Sequence, residues 1–398
     1  MKPSIIKELA EKADNDPQPI QTRYVSQDDV IILEDESGRV VLSGESLPVN
    51  FLFTGVVVAF KGRSRGSDFV VEDFCWPGLA GNLTGTQSSS QPQRLLSPST
   101  SSAASASQMP DANISQELQL PFAFAEKGSF IVLCSDLRFG AEEHFPQLAL
   151  ARQILLDVLV GRSANPASLK LASRMTSLLV SGGLYAPPPP AAYSFGNLVQ
   201  RTDDTDVKER VQSCQTWVSA ADRWLYSLLS FMPVDIMPAC GEPTTFMLPQ
   251  APLHPCLFGT ARKFASLTLS PNPYTFTLSS SLTVLTGSSG EPLHDIAKYC
   301  EISEPLQALE DTLVARHMAP TAPDTLPAFP FVDEDPFVLE QVPHVYFAGR
   351  QPAFATKLVA VSESEHVRLI TIPSFCLTHS VVLLNTESLE AVEFTIQL

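Results

Sequence analysis

The chain has 398 residues, 44% apolar and 17% charged, a balance ordinary for a folded protein and too apolar for a disordered one. Its 26 basic and 43 acidic residues give a formal charge of −17, the wrong sign for a protein that grips nucleic-acid phosphates by itself. No apolar run approaches the roughly 20 residues of a membrane span, and the start, MKPSIIKELAEKADND, turns charged too early for a secretory leader; a soluble, intracellular protein is expected.

Residues 20–78 read as short strands. In DDVIILEDESGRVVLSG two apolar runs flank Glu36-Ser37-Gly38-Arg39, a hairpin signal. FLFTGVVVAFKGRSRGSDFVVEDFCW repeats the device, with the loop expected over Gly62–Asp68. Lys61, Arg63 and Arg65 form the one compact basic group, read first as a solvated turn and second as a phosphate contact. Strands of this kind suggest a small barrel of the OB type, which needs about five. At most four are counted, so the first strand is expected to be missing.

Residues 81–117 are Ser-rich and are expected to form a disordered linker. From 128 onward strands and helices alternate. SFIVLCSD is a continuous apolar run and predicts a buried strand. FPQLALARQILLDVLVG predicts a helix with Pro146 early and Gly161 just past its end, and LKLASRMTSLLVSGG a second strand. A Pro-rich loop over 187–205 precedes a helix at 206–231. Val207, Val211, Cys214, Val218, Ala221, Leu225 and Leu228 form its apolar stripe, and Asp206 and Glu209 resemble a capping box. Another helix is expected from an N-cap at Ser303, burying Leu306, Leu309 and Leu313, before the chain returns to strands. The expected domains are a barrel over 1–80, the linker over 81–117 and a mixed α/β domain over 118–398.

The seven cysteines, Cys75, Cys134, Cys214, Cys240, Cys256, Cys300 and Cys376, lie far apart with no Cys-x-x-Cys and no Cys/His cluster. That argues against a zinc module and a disulfide framework and predicts buried, reduced thiols. No phosphate-loop, serine-hydrolase or dinucleotide signature is present.

Five strand ends, SDLRFG, SGGLY, ACGEP, LTGSSG and FAGRQP, follow one another in an order that resembles the calcineurin-like metallophosphoesterases. Working members carry D-x-H, G-D, G-N-H-D/E, H and G-H-x-H at these places. Such residues hold two divalent ions, and a bridging water becomes the nucleophile. Here the first slot keeps Asp136 but has Arg138 for its histidine. The second has Gly183 for the bridging acid, and the third has Cys240 and Gly241. The fourth has Thr286, and the fifth has Arg350 and Pro352. Guanidinium, glycine, threonine and proline are not ligands for such ions. The expectation is a site with no catalytic residues, no metal and no cofactor. The seven histidines fall outside the ligand slots.

A barrel followed by a metal-stripped phosphoesterase domain resembles the B-subunit family of replicative DNA polymerases. The strings LPVNFLFTGVVVAFKG, PTTFMLPQAPLHPCLF, LTGSSGEPLHDI and VARHMAPTAPDTLPAFPF point to its delta branch. The resemblance implies a nuclear, non-catalytic scaffold in replication and repair. Its implied partners are the cysteine-rich C-terminal domain of the polymerase delta catalytic subunit and a third subunit of that assembly. Polymerase zeta is a further implied assembly. DNA and the sliding clamp are reached only indirectly, and no membrane is involved. The alternatives are an active phosphoesterase or nuclease, a single-strand-binding protein, and a B-type subunit of the alpha or epsilon branch.

Overall fold

A computed structural model of the chain describes residues 23–26, 28–66, 68–80, 95–96, 128–162, 166–186, 204–278, 281–362 and 365–398. The Ser-rich stretch at 81–117, apart from 95–96, and the Pro-rich stretch at 187–203 lie outside these residues.

Three sheets are present among the described residues. The first holds β1 (Ile32–Asp35), β2 (Gly38–Ser43), β3 (Ala59–Arg65) and β4 (Asp68–Cys75) in the order β1-β2-β4-β3. β1 and β2 are antiparallel, β2 and β4 parallel, and β3 and β4 antiparallel. The Asp35 carboxylate accepts the Ser37 and Gly38 N–H groups, an Asx turn that closes the first hairpin. The second hairpin is tighter than the sequence suggests. Gly62–Arg65 stay in β3 beside a bulge, and β4 already begins at Asp68. Val49–Phe51 is a 3-10 turn rather than part of a strand.

Two six-stranded sheets make up the larger part. One contains β6 (Phe130–Cys134), β7 (Met175–Ser181), β8 (Val234–Met237), β9 (Leu267–Leu269), β15 (Ser380–Asn385) and β16 (Ala391–Thr395), ordered β16-β15-β6-β7-β8-β9. The other contains β5 (Leu95–Leu96), β10 (Tyr274–Leu278), β11 (Val284–Ser288), β12 (Val345–Gln351), β13 (Ala355–Ala360) and β14 (His366–Pro373), ordered β13-β14-β12-β11-β10-β5. Their central strands are parallel and buried on both faces, so they read as unbroken apolar runs. Period-2 alternation divides each run between two cores. Ile131, Leu133, Val345 and Phe347 point between the sheets. Phe130, Val132 and Cys134 face one helical layer, and Tyr346 and Ala348 face the other.

The first helical layer holds α1 (Leu148–Leu159), α2 (Pro166–Ala172) and α3 (Asp204–Leu229). α1 ends in a Schellman motif: Gly161, at φ 74°, donates to Val158 and Arg162 donates to Asp157. α2 precedes the strand that LKLASRMTSLLVSGG holds and is an element the sequence reading does not assign. α3 begins two residues before the expected capping box. Of its expected stripe, Val218 is half-buried, Ala221, Leu225 and Leu228 are buried and Cys214 is exposed, while the side chains of Val207 and Val211 lie outside the described residues. The second layer holds α4 (Glu291–Tyr299) and α5 (Pro305–Val314). Glu304, not Ser303, occupies the N-cap of α5 and makes no side-chain cap; Leu309 and Leu313 are buried and Leu306 half-buried. Of the cysteines, Cys134, Cys300 and Cys376 are buried, whereas Cys75, Cys214, Cys240 and Cys256 are exposed, contrary to expectation. No helix among the described residues is long and apolar enough to cross a membrane.

Candidate functional site

The carboxyl ends of the parallel strands are where an open α/β sheet mounts chemistry. Here β6, β7, β8, β11, β12 and β14 deliver their following residues to one place. Asp136, two residues past β6, is 2% exposed at φ 57°, and Arg138 follows at φ 45°. Arg350 in β12 has φ 57°. Three non-glycine residues in the left-handed region at neighbouring strand ends carry backbone strain of the kind that collects at functional sites.

The Asp136 carboxylate is surrounded by cations. Arg138 Nε lies 3.1 Å and Arg350 Nε 3.2 Å from its Oδ1. Both contacts lie off the N–H axis and are ionic rather than directed hydrogen bonds. Arg138 Nη2 donates to Oδ2 at 3.2 Å, and Ser374 Oγ donates to the same oxygen at 2.7 Å. Arg350 also reaches the other side of the cluster, where its Nη1 donates to Glu291 Oε1 at 2.9 Å. The Cys240 N–H and Ser289 hydroxyl complete the Glu291 carboxylate, at 2.7 and 2.6 Å. Burial lowers the affinity of Arg350 for its proton, but Glu291 and Asp136 outweigh it and raise the guanidinium above its ordinary value.

A second buried acid ties the loops together. Glu242 accepts the N–H groups of Gly183, Tyr185 and Ala239 at 3.0, 2.8 and 2.8 Å. Burial pushes its carboxyl up to about 7, against the three donors that hold it down. His294 Nε2 sits 2.9 Å from the Arg350 carbonyl, and burial followed by the Arg350 charge keeps its ring below the ordinary pKa, hence neutral near pH 7.

Of the residues singled out from sequence, Asp136, Arg138, Gly183 and Arg350 converge. A Cβ built on Gly183, at φ 74°, would overlap the Asp136 carboxylate and come within 2.8 Å of its Cα. Cys240 contributes its backbone while its side chain is exposed, and Gly241, at φ 91°, makes the turn before Glu242. Thr286 is not in the cluster. It lies mid-strand with Oγ1 3.1 Å from Thr275 Oγ1, and Ser289 is the residue that β11 delivers. Pro352 is exposed, beyond the buried Gln351. Sequence reasoning misses Glu242, Glu291, Ser289 and Ser374. The tripeptide Gly-Glu-Pro, which occurs at 241–243 and again at 290–292, is the available signal for the two acids.

These residues do not fit a pair of divalent ions. The acid that would bridge them is a glycine with no room for a side chain, and a guanidinium lies between the Asp136 and Glu291 carboxylates. Among the described residues no three His, Cys, Asp or Glu side chains are grouped as ligands.

Comparison with known proteins identifies the family. The family model for the B-type subunit of DNA polymerase alpha/epsilon matches residues 131–356, and the one for the DNA polymerase delta subunit OB-fold domain matches residues 1–74. The DNA polymerase delta small subunit of Oryza sativa is 32% identical over 98% of this chain and 79% of its own length. DNA polymerase delta subunit 2 of Drosophila melanogaster is 33% identical over 98% and 78%. The Saccharomyces cerevisiae small subunit is 29% identical over 91% and 69%. A solved structure, TT1561 of Thermus thermophilus, is 9% identical, with a TM-score of 0.27 over 68% of this chain and all of that one, too little overlap to argue from. The chain belongs to the B-subunit family of DNA polymerases, on the branch of the polymerase delta small subunits.

Proposed function

We propose that the chain is a nuclear, non-catalytic scaffold that bridges the cysteine-rich C-terminal domain of the polymerase delta catalytic subunit and the third, clamp-tethering subunit, and serves polymerase zeta in the same way. The observation that carries this reading is Arg350, whose guanidinium pairs with both Asp136 and Glu291 and so fills the strand ends with a fixed cation. A charge-neutral, hydrogen-bonded cluster joins six strand ends into a rigid base, and permanent complexes built on such bases bury roughly 2,000 Å² or more. The charge of −17 supports contact with DNA only through partners.

The domain reading is part of the same proposal: a barrel over 1–80, a linker over 81–117 and an inactive phosphoesterase-like domain over 118–398. The order β1-β2-β4-β3, with one parallel pair between antiparallel ones, supports the barrel, since it corresponds to four strands of a five-stranded Greek-key barrel.

The test is co-purification of the full chain with the catalytic subunit's C-terminal domain. A stable complex is expected, and a well-folded sample that fails to associate overturns the scaffold. Non-catalysis is tested separately with Mn²⁺ and a DNA substrate. No hydrolysis is expected, and turnover that vanishes in Asp136→Ala overturns it. Restoring the acid with Gly183→Asp is expected to lower the melting temperature without creating metal-dependent activity, because the new carboxylate overlaps Asp136.

A further inference from the structure

The four-stranded sheet and the larger part are tied at several places. On one side the Glu301 N–H donates to the Asn50 carbonyl at 2.7 Å, and Cys300 Sγ lies 3.4 Å from the Leu52 carbonyl. On the other, the Arg316 guanidinium donates to the Gly78 and Leu79 carbonyls, both at 2.7 Å. Beside the tie at Glu301 and Leu52 lies a groove of about 630 Å³. Its apolar lining comes from Phe51, Leu52, Phe74 and Trp76 on one side and Leu306 of α5 on the other. Phe51 is 53% exposed, a large aromatic left facing solvent.

The rim is acidic. Glu301, Glu304, Glu310 and Asp311 line it, and Lys357 is the cation among the lining residues. Lys357 Nζ is already paired with Glu310 Oε2 at 2.5 Å. Glu301 and Glu304 make no ion pair among the described residues, and Asp311 shares the Lys357 charge with Glu310. Asp311 accepts only the Gln307 amide, at 2.9 Å, and burial raises its carboxyl above the ordinary range. A half-buried carboxylate whose nearby cation is already paired with another acid is under-compensated and attracts a further one. The groove also borders β13, the outer strand of its sheet, through Ala355 and Lys357. An outer strand presents unpaired backbone groups that an extended segment can use.

We propose that this groove is the docking site for a basic, apolar-anchored segment of a partner protein. The segment lies along β13, sets a bulky apolar side chain against Phe51 and Trp76, and directs lysine or arginine at Glu304 and Asp311. The sign of the rim rejects nucleic acid and anionic lipid. The proposal rests on the scaffold reading above and adds where, and by what chemistry, a partner is held.

The test measures affinity of the full chain for the purified C-terminal domain of the catalytic subunit and, separately, for the purified third subunit, at low and high salt. Phe51→Ser is expected to weaken one of the two partners about tenfold or more at both salt concentrations, as loss of an interface anchor does. Glu301→Lys with Glu304→Lys is expected to weaken the same partner about tenfold at low salt and to flatten its salt dependence. Asp333→Lys with Glu334→Lys, on an acidic loop outside the groove, is expected to leave both affinities unchanged. All the groove positions changed are exposed, and unaltered melting temperatures certify the variants. If both groove variants bind both partners as tightly as the wild type, the groove is overturned and the scaffold stands. If the wild type binds neither partner, the scaffold falls and the groove with it.

Discussion

Strands β6 and β12 carry two kinds of buried surface within a few residues. Along their length Ile131, Leu133, Val345 and Phe347 fill the space between the sheets with hydrocarbon. Past the end of β6 Asp136 is almost as inaccessible but charged, and near the end of β12 Arg350 is half-buried and charged. The first region is stable because volume is filled, and it tolerates any apolar residue of the right size. The second is stable because each charge has a partner, and it tolerates no single loss. A strand thus changes its rule of substitution within three residues.

The largest expected effect tests the first rule. Phe347 is fully buried, so Phe347→Ala is expected to cost about 3–5 kcal/mol, and Phe347→Leu much less, in denaturant unfolding of the full chain. Near-equal costs for the two would mean that ring shape, not volume, decides. The second rule predicts non-additivity. Asp136→Ala and Arg350→Ala each leave a buried charge short of its partner, at about 3 kcal/mol apiece. The double variant is expected to cost less than their sum by about 0.5–3 kcal/mol. Strict additivity would show that the pair contributes nothing as a pair. Part of the recovery is withheld because Arg138 and Glu291 each lose a contact as well.

The two regions are unequally legible in the sequence. Unbroken apolar runs at 130–134 and 345–348 announce strands buried on both faces, since only a parallel core requires apolar residues at consecutive positions. The surviving Asp136 and the intrusive Arg138 and Arg350 are visible as departures from a spacing. What sequence cannot supply is register. β11 runs to Ser288, so Thr286 is a mid-strand residue and Ser289 the one delivered to the cluster. Nor does local pattern show that Glu242 and Glu291, each after a glycine and before a proline, fold inward. An exposed turn and a buried one share the same tripeptide, and only convergence of distant strand ends separates them. The exposed cysteines make the same point: Cys214 lies on the stripe that the sequence spacing draws along α3, yet it is exposed.

The last comparison probes whether a carboxylate in the cluster has enough partners to stay ionised. Glu242 has three N–H donors and no guanidinium in contact, whereas Asp136 has two guanidinium groups. Burial outweighs the donors and raises the Glu242 carboxyl from 4.5 to about 7. The folded chain therefore holds this proton over a range in which the unfolded chain releases it. Its contribution to stability is fully present below about 4.5 and is lost as pH rises to about 7, with a slope of at most one proton, about 1.4 kcal/mol per pH unit. Glu242→Gln removes the titration, so the stability of the wild type relative to this variant is expected to fall as the buffer goes from pH 4.5 to 7. A flat difference would mean that three backbone donors suffice to hold a buried carboxylate charged. The charged end of the strands would then owe its order to the peptide groups of the loops as much as to its arginines.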